Sequence, residues 1–429
     1  MRIAIYTLGC KVNQYETQAL EAEFVKRGHV LTSFEEQADA YIINTCTVTA
    51  VSDKKSRAMI RRAQKNNSAA VVAVCGCYAQ TDPEAVAALG VDLVSGTADR
   101  LGFLEQVEHL VGQRLPVPEI RVDNIMSQRE FEYLPAGGME GRTRAMLKVE
   151  DGCVNFCSYC IIPYARGPVR SISLEQAVCE AKKLAGEGYQ EIVVTGIEIS
   201  SWGQDLRSGA GLIDLVEAVC AAVPALRVRL GSLEPRTITE EFCRRASALP
   251  NLCPHFHLSM QSGSDRVLQR MNRKYDTNRY YKSVRLLRGY YSDPAITTDL
   301  IVGFPGESEE EFGESLSFME KCAFSSMHIF PYSVRSGTPA AGMEQVPNHR
   351  KEERARTAGV LAARMEADYL KRREGETIPV LFEEEKGGLW RGHAPNYVAV
   401  YARGNDLHNV LCKVKITGPH AGGLLGELS

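Results

Sequence analysis

Along most of the chain, short apolar runs alternate with amphipathic stretches. Residues 2–8, 40–44, 69–74 and 91–95 are nearly continuous apolar runs, and 51–65 and 101–111 between them repeat apolar positions at helical spacing. Strands that are apolar at every position belong in a sheet covered on both faces, so the first third is predicted to be a parallel sheet wrapped by helices. Asn13 stands at the start of the first predicted helix with Glu16 three residues later, the signature of a capping box, and Gly28 ends that helix. From 116 to 143 the period is lost among prolines and glycines, and the stretch reads as a linker. The alternation returns with candidate strands at 145–150, 191–195, 227–230, 255–259, 295–302 and 327–331. Six strand–helix units fit a partial (βα)6 barrel better than an open sheet. A long helix over 349–373 follows, and short β-branched strands at 378–385, 396–402 and 409–418 then predict a small antiparallel β-barrel. The expected division is 1–115, a linker at 116–143, 144–374 and 375–429, in an α/β fold with a β-barrel at its end.

Composition narrows the function. In 429 residues, 50 Lys and Arg stand against 53 Asp and Glu, which excludes a polycation but not a local basic surface. Helix 51–65 carries one such face and helix 349–373 another. No apolar run reaches the roughly 18 residues of a membrane span, and the N-terminal run lacks a secretion signal. A cytoplasmic protein with no membrane contact is expected, and its 13 cysteines should be reduced.

Two groups of cysteines stand out. Cys153, Cys157 and Cys160 form C-x3-C-x2-C just past the first barrel strand, where loops of such folds bind ligands. Three thiolates this close suit a 4Fe-4S cluster with one iron left open, better than a zinc knuckle lacking a fourth ligand or a redox Cys-x-x-Cys. The second group is Cys10, Cys46, Cys75 and Cys77, each at the end of a predicted strand of the first sheet. Parallel strand ends lie side by side, so these loops meet at one edge. Two readings stay open there, a second metal centre or small buried side chains. Cys77 lies past Gly76, where the chain can turn to the edge, whereas Cys75 ends an apolar run.

The cysteine loop, with Tyr159 before its last cysteine, resembles the radical S-adenosyl-L-methionine (SAM) superfamily. The strings Thr7–Asn13 (TLGCKVN), Asn44-Thr45-Cys46 and Gly76-Cys77-Tyr78-Ala79-Gln80 resemble the N-terminal domain of the methylthiotransferase family, and the barrel order resembles its radical SAM and TRAM domains. The string from Cys157 to Gly167 is similar to the branch acting on threonylcarbamoyladenosine in tRNA. The resemblance covers essentially the whole chain. It implies two 4Fe-4S clusters, one on Cys153, Cys157 and Cys160 and an auxiliary one on Cys10, Cys46 and Cys77. It further implies two SAM molecules, one to methylate a sulfur at the auxiliary cluster and one to give the radical that activates adenine C2. The implied substrate is threonylcarbamoyladenosine beside the anticodon, on its 3′ side, and the implied reductant is a flavodoxin- or ferredoxin-like electron donor. A related branch acts on isopentenyladenosine in tRNA and another on a ribosomal-protein aspartate; an iron–sulfur carrier is the non-enzymatic alternative.

The same resemblance implies SAM contacts at Tyr159, Thr195, Gly196, Ser259, Gln261, Arg273 and Gly303, each of which fits a structural role as well. Glu198 and Glu234 follow barrel strands and suit a role either as proton or cofactor ligands or as solvated loop acids. A threonylcarbamoyl group adds a carboxylate to the substrate, for which Arg166 or Lys148 is the expected cationic partner. The C-terminal barrel is not basic, so RNA contact there would rest on Trp390, Tyr397 and Tyr401.

Overall fold

A computed structural model describes residues 1–113, 115–135 and 142–429. They fall into two compact units. The first comprises Met1–Met139, Lys148–Ile172 and Ser333–Ala341; the second comprises Glu140–Leu147, Ser173–Tyr332 and Gly342–Ser429.

The first unit is built on six strands: β1 (Arg2–Thr7), β2 (Val30–Leu31), β3 (Ala40–Thr45), β4 (Val71–Gly76), β5 (Leu93–Ser95) and β6 (Glu119–Arg121). Their order is β2-β1-β3-β4-β5-β6, and every pairing is parallel. β3 and β4 are buried at every position, which is why they read as unbroken apolar runs. Tyr41, Ile43, Val72 and Val74 pack on one face with Ile60, and Ile42, Ala73 and Cys75 pack on the other with Leu20, Phe24 and Phe103. The helices that cover the sheet include α1 (Lys11–Lys26), α2 (Ala50–Asn66) and α3 (Cys77–Thr81).

Two expectations are corrected here. The stretch 116–143 is more than a connection, because β6 extends the sheet beside β5 and Ile125 and Leu134 are buried. A three-residue edge strand, Glu-Ile-Arg, is too short to show a period. The glycines of that stretch lie outside the described residues. The capping box is also absent. Cys10 is the N-cap of α1 and makes no side-chain cap bond, so Asn13 and Glu16 fall inside the first turns.

All six expected strands form, with a short seventh, Ser232–Leu233, in two sheets. Arg144–Lys148, Glu191–Thr195 and Arg227–Leu230 make the first; Ser232–Leu233, His255–Leu258, Ala295–Val302 and Ser326–Pro331 make the second. Helix Asn348–Lys371 packs along the last of them. Of its positive charge, Arg354 is buried against Glu307, whereas Arg350 pairs with Glu309 and Arg364 with Glu320 at the surface. The basic face is therefore partly neutralised by neighbouring acids but still exposed. No described helix is long and apolar enough to cross a membrane.

Residues 377–428 close into a five-stranded barrel around Val380, Phe382, Val400, Ala402, Val414 and Leu424. Its strands Leu389–His393 and Gly423–Leu428 were not expected, since their glycines read as turns. Within the second unit the barrel is fastened to the first sheet by Arg229, which bonds the Glu191 carboxylate and the carbonyls of Ala394 and Pro395. Tyr397 is part of this fastening, with Arg229 over its ring at 4.8 Å and His393 stacked at 4.8 Å. The Tyr397 ring nevertheless stays exposed at the surface.

Candidate metal centre

The sheet register brings the first cysteines together. Thr7 is level with Asn44 and Thr45 with Gly76, so the loops after β1, β3 and β4 leave the sheet at one edge. Cys10 is exposed there, and Cys46 and Cys77 are buried. Gly9 approaches Cys46 so closely that a Cβ on it would sit 2.8 Å from the Cys46 Cβ. Gly76 has φ +96°, and a Cβ on it would stand 2.5 Å from both Asn44 Oδ1 and Thr45 O. This turn redirects the chain between Cys75, which stays in the core beside Leu20 and Phe24, and Cys77, which begins α3. Burial pushes the Cys77 thiol up to about 12, with Arg166 pulling the other way and the neighbouring Cys10 and Cys46 raising it further.

Arg166 is the centre of an unexpected network. It ends the short helix Ile162–Arg166 that follows the Cys153–Cys160 loop, and it is wholly buried. Its Nε lies 3.3 Å from Cys77 Sγ. Its Nη2 donates to Asn13 Oδ1 at 2.8 Å and to Glu16 Oε2 at 3.2 Å, while Nη1 bonds Glu16 Oε1. Asn13 Oδ1 also lies 3.5 Å from Cys10 Sγ, and the Asn13 amide donates to Leu8 O and Thr45 O. Glu16 further meets Arg100 at 2.8 Å and Lys148 at 3.2 Å, and Lys148 meets Asp151 at 2.6 Å. Burial acts to raise the Glu16 carboxyl, yet Arg100, Arg166 and Lys148 together hold it well below the usual carboxylate range.

This corrects the role given to Arg166 and Lys148. Both charges are already matched inside the protein by Glu16 and Asp151, so neither is available to a substrate carboxylate. Asn13, Glu16 and Arg100 were the residues missed. Asn13 follows Cys10 by three positions, a helical spacing that starts from a cysteine and was the signal to follow. Removing one member of a buried ion network leaves the others uncompensated. Glu16→Ala should therefore destabilise the protein by about 3–5 kcal/mol, read as an earlier urea midpoint; an unchanged midpoint would refute the network's weight.

The second cysteine loop is held by the same unit. Cys160 N donates to Cys157 O at 2.9 Å and Cys153 N to Gly167 O at 3.0 Å. Thr97 Oγ1, past the end of β5, donates to Ala165 O at 2.6 Å, and Ala340 N donates to Ser158 O at 2.8 Å. Tyr159 is half-buried in this loop. Each trio thus offers three thiols, soft donors suited to iron–sulfur ligation, and the first has a cation against one of them. The donor sets fit 4Fe-4S clusters.

Of the expected SAM contacts, all but Tyr159 belong to the second unit. Thr195 is buried at the end of its strand, with Gly196 next to it. Glu198 caps a short turn through Ser200 N; burial raises its carboxyl, and the charge of Glu234 adds to that. Arg273 lies near enough to act on Glu198 in the opposite sense. Its Nε donates to Tyr275 OH at 3.0 Å, and the Tyr275 hydroxyl bonds Ser259 O. Gln261, at φ +65°, bridges backbone to Asp299 and Ile301. Gly303 presses against helix Asn348–Lys371, where a Cβ would sit 2.4 Å from Lys351 Cγ, so its lack of a side chain already has a packing reason. Below these strand ends Asp299 stands between His257 and His328, at 3.3 Å from each. Burial would raise its carboxyl, but hydrogen bonds from both rings bring it below the normal range.

Comparison with known proteins decides the family. Residues 2–96 match the Uncharacterized protein family UPF0004, and residues 147–319 match the radical SAM superfamily. The Threonylcarbamoyladenosine tRNA methylthiotransferase MtaB of Bacillus subtilis (strain 168) is 41% identical over 96% of this chain and 93% of its own length. The chain belongs to the radical SAM methylthiotransferase family. Within it, MtaB of Aquifex aeolicus (strain VF5) is 36% identical over 97% of this chain and all of its own. A tRNA-2-methylthio-N(6)-dimethylallyladenosine synthase of Pelotomaculum thermopropionicum is more distant, at 31% over 99% of this chain and 97% of its own. The family is enzymatic, uses SAM, and carries a 4Fe-4S cluster. Among solved structures, the radical SAM methyltransferase TsrM of Kitasatospora setae shares the fold, with a TM-score of 0.57 at 15% identity over 79% of this chain and 74% of that one.

Proposed function

We propose that the protein transfers a methylthio group to C2 of N6-threonylcarbamoyladenosine, next to the anticodon on its 3′ side in tRNA, using two 4Fe-4S clusters and two SAM molecules. The observation that carries this reading is the meeting of Cys10, Cys46 and Cys77 at one sheet edge, with Arg166 from the second cysteine loop against Cys77. The MtaB relatives support the substrate by what their names say they act on. When bound, the clusters and SAM supply the radical and sulfur chemistry that an unactivated aromatic C–H requires.

This chain's residues do the rest. Cys153, Cys157 and Cys160 would hold one cluster, and Cys10, Cys46 and Cys77 the other. Thr195, Gly196, Ser259, Gln261, Arg273, Gly303 and Tyr159 would orient SAM by backbone and side-chain contacts. Glu198, kept from ionising readily by burial and by Glu234, is suited to hold a proton at its carboxyl oxygen. Lys54, Lys55, Arg61 and Lys65 form an exposed face on α2 that suits tRNA phosphates. In this reading residues 1–115 form the auxiliary-cluster domain, 144–374 the radical SAM domain and 375–429 the TRAM barrel. A flavodoxin- or ferredoxin-like protein would donate electrons.

The test is an anaerobic reaction of the reconstituted enzyme with two tRNA preparations, one bearing threonylcarbamoyladenosine and one isopentenyladenosine, read by nucleoside mass analysis. Product is expected only from the first. Product only from the second, or only on a ribosomal protein, would overturn the substrate while leaving the chemistry intact.

A further inference from the structure

Arg166 is the residue that joins the two cysteine groups, and its surroundings suggest more than a brace. Its guanidinium is wholly buried, and Nε is 3.3 Å from the sulfur of a proposed cluster ligand. Asn13 Oδ1 accepts from Nη2 and from the Cys10 thiol, which places the guanidinium and a second proposed ligand on either side of one amide oxygen. Glu16 is the shared counter-ion, held also by Arg100 and Lys148. A 4Fe-4S cluster becomes more negative by one charge on reduction. A cation beside a ligand sulfur, and hydrogen bonds to it, stabilise the reduced form and raise the potential. A buried carboxylate in the same network acts in the opposite sense. Water screens little where every member is buried.

We propose that Arg166 is a positioning residue that sets the reduction potential of the centre on Cys10, Cys46 and Cys77, with Glu16 as the opposing charge that keeps that potential from rising further. The inference rests on the two-cluster reading above. The step concerned is a single-electron couple: one electron enters the oxidised cluster and no bond forms or breaks. Its consequence is control over where an electron from the donor comes to rest, since a cysteine loop and its own helix supply the group that tunes the neighbouring centre.

The experiment uses the full chain with Cys153, Cys157 and Cys160 replaced by alanine, so that only the auxiliary centre gives a signal. Mediated redox titration with dithionite as reductant is followed by electron paramagnetic resonance. Arg166→Gln should lower the ratio of reduced to oxidised cluster at fixed potential by at least tenfold, a shift of about 59 mV for one electron. Glu16→Gln should move the ratio in the opposite direction. Arg166→Lys, which keeps the charge, should stay nearer the parent than Arg166→Gln does. A purely structural role predicts that the two glutamine variants lose iron or broaden alike, without opposite shifts. If Arg166→Gln holds no cluster, Glu16→Gln carries the test, and an unmoved couple there overturns the proposal. Iron bound but unmoved in both variants overturns this inference alone. No cluster in the alanine background overturns the two-centre reading and this inference with it.

Discussion

Cys77→Ala is expected to abolish methylthiolation while reductive cleavage of SAM to 5′-deoxyadenosine continues. The argument rests on what each cysteine touches. Cys77 opens α3 at the edge where the loops bearing Cys10 and Cys46 meet, and its sulfur faces Arg166. Losing it removes one of three proposed ligands of the auxiliary centre and leaves the Cys153–Cys160 loop unchanged. Cys75 is two positions away but turned into the core with Phe24, Leu20 and Phe103. Cys75→Ala removes one buried heavy atom, which costs about 1 kcal/mol and no product. Product formation, 5′-deoxyadenosine and iron content measured on both variants give the check. Loss of the auxiliary iron from Cys75→Ala alone would reverse the assignment.

Replacing Cys153, Cys157 and Cys160 together with alanine is expected to abolish both SAM cleavage and product. Reconstituted iron should fall from about eight per chain to about four, one cubane's worth. The loop itself should persist, because its fixings are backbone bonds from Cys153 N, Cys160 N and Ala340 N and the Thr97 hydroxyl, none of which needs a thiol. Fold is therefore not expected to confound the result. A variant that keeps the full iron load, or one that still cleaves SAM, would refute the assignment of this trio.

Much of the fold was legible because buried parallel strands leave unbroken apolar runs, as at β3 and β4, and because helices between them keep their period. The cysteines were legible by spacing. What escaped was partnership at long range. Asn13 and Glu16 look the same in sequence whether they cap a helix or face a buried guanidinium; the partner of Glu16 lies 150 positions away at Arg166 and another lies 132 away at Lys148. A charged side chain next to a ligand loop invites a substrate role, and only the positions of Glu16 and Asp151 show that the charge is spent. β6 escaped for a simpler reason: three residues, two of them exposed, carry no pattern. Helix Asn348–Lys371 presents the converse case, in which a genuine excess of basic residues is partly paired with acids on neighbouring elements.

The clasp formed by residues 333–341 has a bearing on how the protein is made. Arg335 bonds the Thr47 hydroxyl and pairs with Asp53 at 2.8 Å, and Ser333 Oγ accepts from Ala50 N. These contacts close over the loop that carries Cys46, yet Thr47 and Arg335 are 288 positions apart. At ribosomal rates that separation amounts to about 15–60 s. During this interval β1, β3 and β4 have emerged and can pair, so the three thiols are already gathered while their clasp is still unmade. The nascent chain thus passes through a period in which this edge of the sheet lacks its clasp, and translation itself fixes how long that period lasts.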